Sequence, residues 1–447
     1  MSDTIVATLT AKASSSLSGQ ADIPGDKSVS HRSLILGGMA IGITRVTGLL
    51  EGEDVLSTLG AMRGLGVKIE RPAPGEAIIE GVGMHGFTAP TEPLDLGNAG
   101  TGVRLLMGAV AGQDMAVTFI GDASLSKRPM RRITDPLKLM GAGIADRDGM
   151  LPVTITGSAT PLSVRYDSPV ASAQIKSAVL LAGLNARGQT IVSEPAISRD
   201  HTESMLRHFG ANVVQETDPE TGRHIVTLTG EATLKAADIA VPRDPSSAAF
   251  AIVAALITKG SDITLPGIAM NPQRTGLFTT LIEMGGDISF DNERLEGGEH
   301  VADIRVKSSD LKGVSVPAER AVSMIDEYPI LSIAAAMAEG QTQMTGVAEL
   351  RVKETDRIAV MAEGLRRNGI TADETEDSLT ITGIGNSDHT IPGGLSIDSC
   401  HDHRIAMSFL TLGLVADEAI TVEGAETIAT SFPQFTSLMR GLGADIS

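Results

Sequence analysis

The stretch MRGLGVKIE, residues 62–70, contains the pattern that decides the fold. In it a methionine or leucine precedes a glycine, and a run typical of a β-strand follows. The pattern recurs as LKLMGAGIA (137–145), LRHFGANVV (206–214), LIEMGGDIS (281–289), LRRNGITAD (365–373) and MRGLGADIS (439–447). Its marker glycines are Gly66, Gly141, Gly210, Gly285, Gly369 and Gly443. Each fits a helix that ends at a left-handed glycine before a strand, so the pattern predicts six α/β units.

A second helix-like run precedes each marker, and it is apolar almost all round. The six runs are LILGGMA (34–40), LLMGAVA (105–111), AVLLAGL (178–184), FAIVAALI (250–257), ILSIAAAMA (330–338) and MSFLTLGLV (407–415). A helix without a polar face belongs in an interior. Each unit is therefore predicted to contain one buried helix among short strands, which is an α/β repeat architecture.

A further duplication divides the six units into three plus three. IPGDKSVS (23–30) resembles VPRDPSSA (241–248), and each stretch opens a series of three units. We expect two domains, residues 1–23 plus 242–447 and residues 24–241, with the active site in the cleft between them. Residues 1–22 contain a strand pattern that precedes the first unit and could pair with the second half.

Composition excludes several classes of protein. The net charge is −19 and aromatic residues make up 2%, which argues against nucleic-acid binding. One cysteine excludes a disulfide framework and fits a reducing compartment. No apolar run reaches membrane-spanning length, and the N-terminus has no secretory pattern, so we expect a cytoplasmic protein without a membrane partner.

Short polar segments stand directly before the apolar helices. They are residues 25–28, 97–101, 172–174, 244–247, 323–326 and 401–404. Each alone is compatible with an ordinary helix cap. Gathered together, six helix N-termini with nearby Lys and Arg side chains would instead bind a small, multiply anionic ligand.

Four motifs have an alternative interpretation as ordinary structure. GDKSVSHR (25–32) lacks the spacing of a Walker A loop and could be a capped helix with solvated bases. LSKRPMRR (125–132) could be a solvated loop, and RVKETDR (351–357) an exposed charge cluster; if RVKETDR is helical, Lys353 and Arg357 share a face. CHDH (400–403) resembles a metal site but offers too few ligands for structural zinc, so no metal is expected.

Seven stretches together resemble the 5-enolpyruvylshikimate-3-phosphate synthase family. They are GDKSVSHR (25–32), LDLGNAGTGVR (94–104), GDASLSKRPM (121–130), SAQIKSAVLLAGL (172–184), SMIDEYPI (323–330), RVKETDR (351–357) and CHDHRIAMSF (400–409). The resemblance implies a two-domain inside-out α/β barrel, with helices inside and sheets outward. It also implies transfer of the enolpyruvyl group of phosphoenolpyruvate to the 5-hydroxyl of shikimate 3-phosphate, with release of phosphate and no cofactor.

The same resemblance implies roles for individual residues. Glu354 would handle the C3 proton of phosphoenolpyruvate, Asp326 would accept the hydroxyl proton, and Lys27 would contact both substrates. The residues implied for shikimate 3-phosphate are Lys27, Ser28, Arg32, Ser172, Gln174, Arg199, Asp326 and Lys353. Those implied for phosphoenolpyruvate are Lys27, Asn98, Gly100, Thr101, Arg128, Gln174, Arg357 and Arg404.

Two positions have consequences of their own. Ala173 stands where other members have a serine directed at the sugar phosphate, so that phosphate would rely more on Arg199. The family is inhibited by glyphosate at the phosphoenolpyruvate site. Gly100 allows a close approach there, and we expect the protein to be sensitive.

Two alternatives remain open. A related enolpyruvyl transferase acts on UDP-N-acetylglucosamine, and it typically uses a loop cysteine, whereas the one thiol here, Cys400, precedes an apolar helix. A non-catalytic anion-binding repeat protein is the other alternative, and the joint presence of Glu354, Asp326 and Lys27 counts against it. A monomer acting only on small-molecule substrates is expected.

Overall fold

The computed structural model describes residues 8–296, 299–385 and 390–447. The chain divides into two compact units, residues 1–24 with 242–447 and residues 25–241. Pro24 alone stands in a different unit from the one expected from the sequence.

The helices of the described residues follow the apolar runs and the marker motifs. They are α1 (Lys27–Met39), α2 (Glu53–Gly64), α3 (Gly100–Ala111), α4 (Arg131–Leu139), α5 (Ala173–Gly183), α6 (His201–His208), α7 (Pro245–Ile257), α8 (Gly276–Glu283), α9 (Ala321–Met324), α10 (Tyr328–Met337), α11 (Arg357–Arg367), α12 (His403–Gly413) and α13 (Phe435–Gly441). Short 3₁₀ turns occur at Leu125–Lys127, Ala318–Arg320, Ala348–Val352 and Ala425–Thr430.

The strands are short, and most stand between or after helices. They are β1 (Thr8–Lys12), β2 (Ser18–Gln20), β3 (Ile41–Thr47), β4 (Lys68–Glu70), β5 (Ala77–Val82), β6 (Leu94–Asp95), β7 (Ala116–Ile120), β8 (Gly143–Arg147), β9 (Met150–Thr156), β10 (Arg165–Asp167), β11 (Gln189–Glu194), β12 (Val213–Thr217), β13 (His224–Thr229), β14 (Ile239–Ala240), β15 (Asp262–Ala269), β16 (Asp287–Glu296), β17 (Glu299–Lys307), β18 (Ser315–Val316), β19 (Glu339–Thr345), β20 (Thr371–Thr375), β21 (Ser378–Ile384), β22 (Ser396–Asp398), β23 (Ile420–Glu423) and β24 (Asp445–Ile446).

Within the described ranges these strands form six sheets of four strands each, one for each predicted α/β unit. The sheet formed by β6, β7, β9 and β8 shows how the strands of a unit are arranged. Strand β6 pairs in parallel with β7 across the buried helix α3, β9 pairs antiparallel with β7, and β8 pairs antiparallel with β9. A parallel pair needs a crossover connection, which the apolar helix supplies.

Strands from distant parts of the chain complete three of the sheets. β14 adds the parallel edge strand of the first sheet, next to β3. β2 pairs with β15, and β1 pairs with both β23 and β24. The prediction that the N-terminal segment pairs with the second half of the chain is thus confirmed for β1 and β2, while residues 1–7 lie outside the described residues.

The apolar helices form the interior of each unit, and the sheets lie outward. In residues 25–241, α3 packs against α1 and α5. In the other unit, α7, α10 and α12 pack against one another. Every residue of α7 from Pro245 to Leu256 is buried, as expected for a helix without a polar face. The structure has the predicted inside-out α/β architecture.

The marker glycines end their helices as predicted. All six have positive φ, between 78° at Gly369 and 107° at Gly443. An L-residue with a side chain rarely adopts this conformation, whereas glycine does so at little cost. The prediction of a left-handed glycine between helix and strand is confirmed at each of the six positions.

None of the helices in the described part of the chain is long and apolar enough to span a lipid bilayer.

Candidate active site

Four of the six buried helices begin at a side chain that caps them. Asp26 caps α1 by accepting the Val29 amide hydrogen at 2.8 Å, and Asp244 caps α7 by accepting that of Ser246 at 2.9 Å. Ser172 caps α5 and Asp402 caps α12. These segments were predicted as helix starts. Their remaining amide groups and the helix dipole favour an anion at each end.

Lys27 is the first residue of α1, and its ammonium group forms an ion pair with the carboxylate of Asp54 in α2. The Lys27 side chain keeps 20% of its exposure, whereas Asp54 is buried. A cation held in this way remains accessible to a ligand at the helix N-terminus. Sequence reasoning missed Asp54, because a partner 27 residues away gives no local signal.

Arg32 is buried one turn further along α1. Its guanidinium donates to Thr202 Oγ1 at 2.6 Å, to Ser177 Oγ at 3.0 Å and to the carbonyl oxygen of Ser28 at 3.0 Å. It therefore connects α1 with α5 and α6. In the alternative interpretation of GDKSVSHR, the capped helix is confirmed by Asp26, but the solvated bases were wrong, because Lys27 and Arg32 are both paired within the unit.

Arg128 follows the 3₁₀ turn Leu125–Lys127, and its side chain lies next to the start of α3. Its guanidinium donates to Asn98 Oδ1 at 2.5 Å and to Ser124 Oγ at 3.2 Å, and the Asn98 amide donates to Asp122 at 2.7 Å. Arg128 is buried, so the alternative of a solvated loop at LSKRPMRR was wrong for this residue. A methyl group on Gly100 would lie 3.0 Å from Arg128 Nη1.

Gln174 connects the starts of α3 and α5. Its side-chain oxygen accepts a hydrogen bond from Arg104 at 2.7 Å, and its amide donates to Thr101 Oγ1 at 3.1 Å. Three of the residues expected at one ligand, Gly100, Thr101 and Gln174, are thus brought together. Arg104, which was noted only as a nearby cation, holds the orientation of Gln174.

Arg199 lies in the loop between β11 and α6 and is half-buried. Ser172 is half-buried at the start of α5, and its amide hydrogen is bound by the Glu194 carboxylate at 2.7 Å. Glu194 ends β11, which places it at the beginning of the same loop. The loop that carries Arg199 and the start of α5 are therefore linked through one buried carboxylate.

In the other unit, Arg357 is the centre of a group of carboxylates. Its buried guanidinium lies 2.7 Å from Asp402 Oδ2, 2.7 Å from Glu354 Oε2 and 3.4 Å from Asp326 Oδ1. Burial alone would lower the pKa of Arg357, but the Asp402 and Glu354 carboxylates raise it. Asp326 and Glu354, the two predicted proton-transfer residues, thus share one cation.

The predicted geometry of RVKETDR differs from the structure. The condition that Lys353 and Arg357 share a helix face is not met, because α11 begins only at Arg357. Asp356 caps this helix by accepting the Ala359 amide hydrogen at 3.1 Å. The alternative of an exposed charge cluster was also wrong for Arg357, which is 1% exposed.

Lys353 lies near the Asp326 carboxylate, and Arg404 lies near the backbone of the same residue. Burial and the Arg357 guanidinium lower the pKa of Lys353, whereas Asp326 and Glu349 oppose that shift. Arg404 donates to the carbonyl oxygen of Asp326 at 3.1 Å. Three cations, Lys353, Arg357 and Arg404, therefore lie close to Asp326.

The CHDH motif is used as a helix start. Asp402 caps α12 and pairs with Arg357, while His403 Nδ1 lies 3.3 Å from Thr430 Oγ1. Across residues 8–296, 299–385 and 390–447, no three His, Cys, Asp or Glu side chains are grouped so as to hold a metal ion.

Sequence reasoning missed a fully buried group behind the start of α5. Lys176 pairs with Glu194 at 3.0 Å and with Glu203 at 2.8 Å, and all three side chains are inaccessible. Lys176 is only two residues beyond the predicted site residue Gln174, but it stands in an apolar run. The isolated lysine in that run was the one available signal, because its two partners come from distant parts of the chain.

Solved structures with the same architecture show the class of protein. The enolpyruvyl transferase NikO from Streptomyces tendae is similar with a TM-score of 0.77, covers 98% of both chains and has 17% sequence identity, so it shows the fold alone. EPSP synthase from Acinetobacter baumannii is similar with a TM-score of 0.86 at 50% identity, over 98% of this chain and 99% of that one. The fold is therefore that of the enolpyruvyl transferases.

Sequence comparison identifies the family within this class. The family model for EPSP synthase (3-phosphoshikimate 1-carboxyvinyltransferase) matches residues 11–439. The protein of that name from Cereibacter sphaeroides is 58% identical over 440 residues, 98% of each chain. The one from Parvibaculum lavamentivorans is 57% identical over 437 residues, 98% of this chain and 96% of the relative. The chain belongs to the EPSP synthase family.

Proposed function

We propose that this enzyme transfers the enolpyruvyl group of phosphoenolpyruvate to the 5-hydroxyl of shikimate 3-phosphate and releases inorganic phosphate, a step in aromatic amino acid biosynthesis. The observation that carries the proposal is the pair of carboxylates, Glu354 and Asp326, that share the buried guanidinium of Arg357. Enolpyruvyl transfer requires one group that gives a proton and another that takes one, beside strong cationic support.

The reaction has two steps. First, the hydroxyl oxygen of shikimate 3-phosphate attacks C2 of phosphoenolpyruvate, Asp326 accepts the hydroxyl proton, and Glu354 delivers a proton to C3. The resulting tetrahedral adduct then returns a C3 proton to the Glu354 carboxylate as the C–O bond to phosphate breaks, and the phosphate leaves with the electron pair of that bond. Lys27 contacts both substrates and is the alternative donor to Glu354. An ammonium group at the start of α1 would stabilise the charge that develops on the leaving phosphate.

The remaining residues divide between the two substrates. For shikimate 3-phosphate we propose Lys27, Ser28, Arg32, Ser172, Gln174, Arg199, Asp326 and Lys353. For phosphoenolpyruvate we propose Lys27, Asn98, Gly100, Thr101, Arg128, Gln174, Arg357 and Arg404. The hydrogen bonds from Arg128 to Asn98 and from Gln174 to Thr101 support this second set, because they fix the side chains at the start of α3.

The environment of Cys400 counts against the UDP-N-acetylglucosamine alternative. Burial raises the pKa of this thiol, and the carboxylates of Asp398 and Asp402 raise it further. A thiol with a raised pKa is a weak nucleophile at neutral pH. Cys400 is thus unsuited to the role that a loop cysteine plays in that related family.

Phosphate release tests the proposed function. With both substrates present, the protein should release phosphate in proportion to the product formed, and omission of either substrate should abolish release. Glu354→Gln is the variant expected to lose activity, and Glu363→Gln, an exposed residue of α11, is its matched control. Release that depends on UDP-N-acetylglucosamine, or no release at all, would overturn the proposal.

We further propose a cytoplasmic monomer that needs no cofactor and binds neither nucleic acid nor membranes. The net charge of −19 and the single cysteine, Cys400, support this part of the proposal. Light scattering during gel filtration tests the monomer, and activity after dialysis against a chelator tests the independence from metal. A dimeric mass, or activity restored only by an added metal ion, would contradict it.

A further inference from the structure

A charged group lies fully buried behind the start of α5. Lys176 belongs to the second turn of this helix, and its side chain has no exposure. The ammonium group lies 3.0 Å from Glu194 Oε2 and 2.8 Å from Glu203 Oε1, and it is 3.3 Å from the carbonyl oxygen of Ser198. Burying three ionisable groups is costly unless they are paired. The presence of Lys176, Glu194 and Glu203 in an apolar interior therefore suggests a role for the group.

The two carboxylates have different surroundings. Glu194 accepts a hydrogen bond from the Ser172 amide, with the nitrogen 2.7 Å from Oε1. It also accepts one from the Ser198 hydroxyl, whose Oγ lies 2.7 Å from Oε2 and 3.0 Å from Oε1. Besides the ion pair with Lys176, the oxygens of Glu203 have no hydrogen-bond partner on any other described residue. Glu194 therefore connects the start of α5 with the loop that contains Ser198, whereas Glu203 contacts only Lys176.

Those two segments carry the residues assigned to the sugar phosphate. Ser172 stands at the start of α5, and Ser198 immediately precedes Arg199. The next position of α5 is Ala173, which has no hydroxyl to offer a phosphate. Binding of that phosphate then depends more strongly on where Ser172 and Arg199 are held.

Resting on the proposed function, we propose that Lys176 and Glu194 are positioning residues: their buried ion pair fixes the start of α5 and the Ser198–Arg199 turn in the arrangement that binds the phosphate of shikimate 3-phosphate. Neither residue touches substrate. The ammonium group of Lys176 fixes the position of the Glu194 carboxylate, and this carboxylate in turn accepts the amide hydrogen of Ser172 and the hydroxyl hydrogen of Ser198.

The direction of the pKa shift of Lys176 is consistent with a charged ammonium group in the ion pair. Burial by itself would lower the pKa of Lys176, but the Glu203 and Glu194 carboxylates outweigh it and raise that pKa. The lysine is thus a cation at neutral pH. Burial raises the pKa of Glu203, with Lys176 opposing the shift.

The test compares two variants that remove the same charge at the same depth, Glu194→Gln and Glu203→Gln. Each neutralises a buried partner of Lys176, but only the first alters the hydrogen bonds to Ser172 and Ser198. Calorimetric binding of shikimate 3-phosphate alone should weaken about tenfold in Glu194→Gln and stay within about twofold of the parent in Glu203→Gln. The KM for phosphoenolpyruvate should stay within about twofold in both.

Equal weakening in both variants, or none in either, would overturn the positioning role and leave the group as a structural ion pair. If Glu194→Gln does not fold, Ser198→Ala decides the question, because it removes one hydroxyl from the Glu194 carboxylate and leaves the ion pair intact. We expect about threefold weaker binding of shikimate 3-phosphate in that variant, and unchanged binding would overturn the inference.

Failure of the proposed function is separable from failure of this inference. An unmodified protein that neither binds shikimate 3-phosphate nor releases phosphate would overturn both. An active unmodified protein whose Glu194→Gln variant binds normally would overturn the inference alone.

Discussion

Gly100 stands where any side chain would meet the guanidinium of Arg128. A Cβ atom there would be 3.0 Å from Arg128 Nη1 and 3.5 Å from Arg104 Nη1. Such a distance is tight, so the Arg128 side chain would have to shift by a few tenths of an ångström. A methyl group at position 100 would therefore reduce the space at the start of α3 and also displace the guanidinium of Arg128.

We predict that Gly100→Ala weakens inhibition by glyphosate more than it weakens use of phosphoenolpyruvate, because glyphosate is the longer molecule and needs the space that the methyl group fills. The inhibition constant should rise about tenfold more than the KM. Steady-state kinetics with both ligands decide this. Gly60→Ala is the control, since a Cβ atom there has no neighbour within 4 Å; equal losses for the two ligands would reject the steric explanation.

His31 is a buried histidine whose ring lies among cations. Its Nδ1 is 2.8 Å from Thr58 Oγ1, and burial, with Lys27 and Arg32, lowers its pKa well below the ordinary value of 6.5. The folded protein therefore binds fewer protons at His31 than the unfolded chain does below pH 6.5. Folding stability from this residue is fully present above that pH and is lost as the pH falls toward the lowered pKa.

We predict that the free energy of unfolding decreases from pH 7.5 to pH 5.5, and that His31→Gln reduces this decrease. The decrease in the parent should exceed that in His31→Gln by at most about 1.4 kcal/mol for each pH unit below 6.5. Urea unfolding at both pH values measures it. A decrease as large in His31→Gln as in the parent would contradict the assignment.

At the scale of single residues, the sequence revealed the cations more readily than their partners. Lys27, Arg128 and Arg357 stand in recognisable motifs, and each lies at or just before a helix start or at its first turn. Asp54 could not be assigned to Lys27, nor Glu194 to Lys176, because these pairs form only when distant segments pack together. Pairing of this kind depends on tertiary structure and leaves no periodic pattern.

Close helix packing inside each unit depends on glycines at the contacts. In α3, a Cβ atom on Gly108 would lie 2.3 Å from the carbonyl oxygen of Ala178 and 2.6 Å from its Cα atom in α5. These are backbone atoms of a helix and cannot move independently. The contact between α3 and α5 therefore requires the absence of a side chain at this position.

We predict that Gly108→Ala destabilises the protein by about 1–3 kcal/mol or more, since two buried helices must separate to admit the methyl group. Gly60→Ala, in the exposed face of α2, should instead stabilise by about 0.5–1 kcal/mol, because alanine favours a helix where space is free. Chemical unfolding of both variants checks the pair. A Gly108→Ala protein as stable as the parent would show that the helices can move apart freely.

Regular elements were predictable because their patterns are local. The six apolar runs became buried helices, and the marker glycines adopted the predicted conformation. The segment 323–326 was harder, since the short helix α9 ends at Met324 and α10 begins only at Tyr328. Residues 353–356 likewise escaped prediction, because the cap at Asp356 delays the start of α11.

Across the whole molecule, the residues proposed for one reaction come from both units. Lys27 belongs to residues 25–241, whereas Asp326 and Glu354 belong to the other unit. Proton transfer to C3 is assigned to Glu354, with Lys27 as the alternative donor. Either assignment places Glu354 and Lys27 in the same chemical step, and two groups that act in one step have a kinetic signature.

We predict that Lys27→Met and Glu354→Gln each lower kcat about 100-fold or more, and that the double variant loses far less than the product of the two effects, because residues that serve one step act as a unit. Single-turnover kinetics measure the chemical step, and pH–rate profiles of the two single variants show which group donates. Lys68→Met, an exposed lysine of β4, is the control. Losses that multiply, or one inactive and one unaffected variant, would contradict a shared step.

The pairing of β1 with β23 has a consequence for protein synthesis. Thr10 meets Thr421 across 411 residues, so β1 leaves the ribosome long before its partners exist. Residues 25–241 contain all strands of their own three sheets and can complete their folding while translation continues. During that time β1 has neither of its partners, β23 and β24, and an unpaired strand edge is a place where chains associate wrongly.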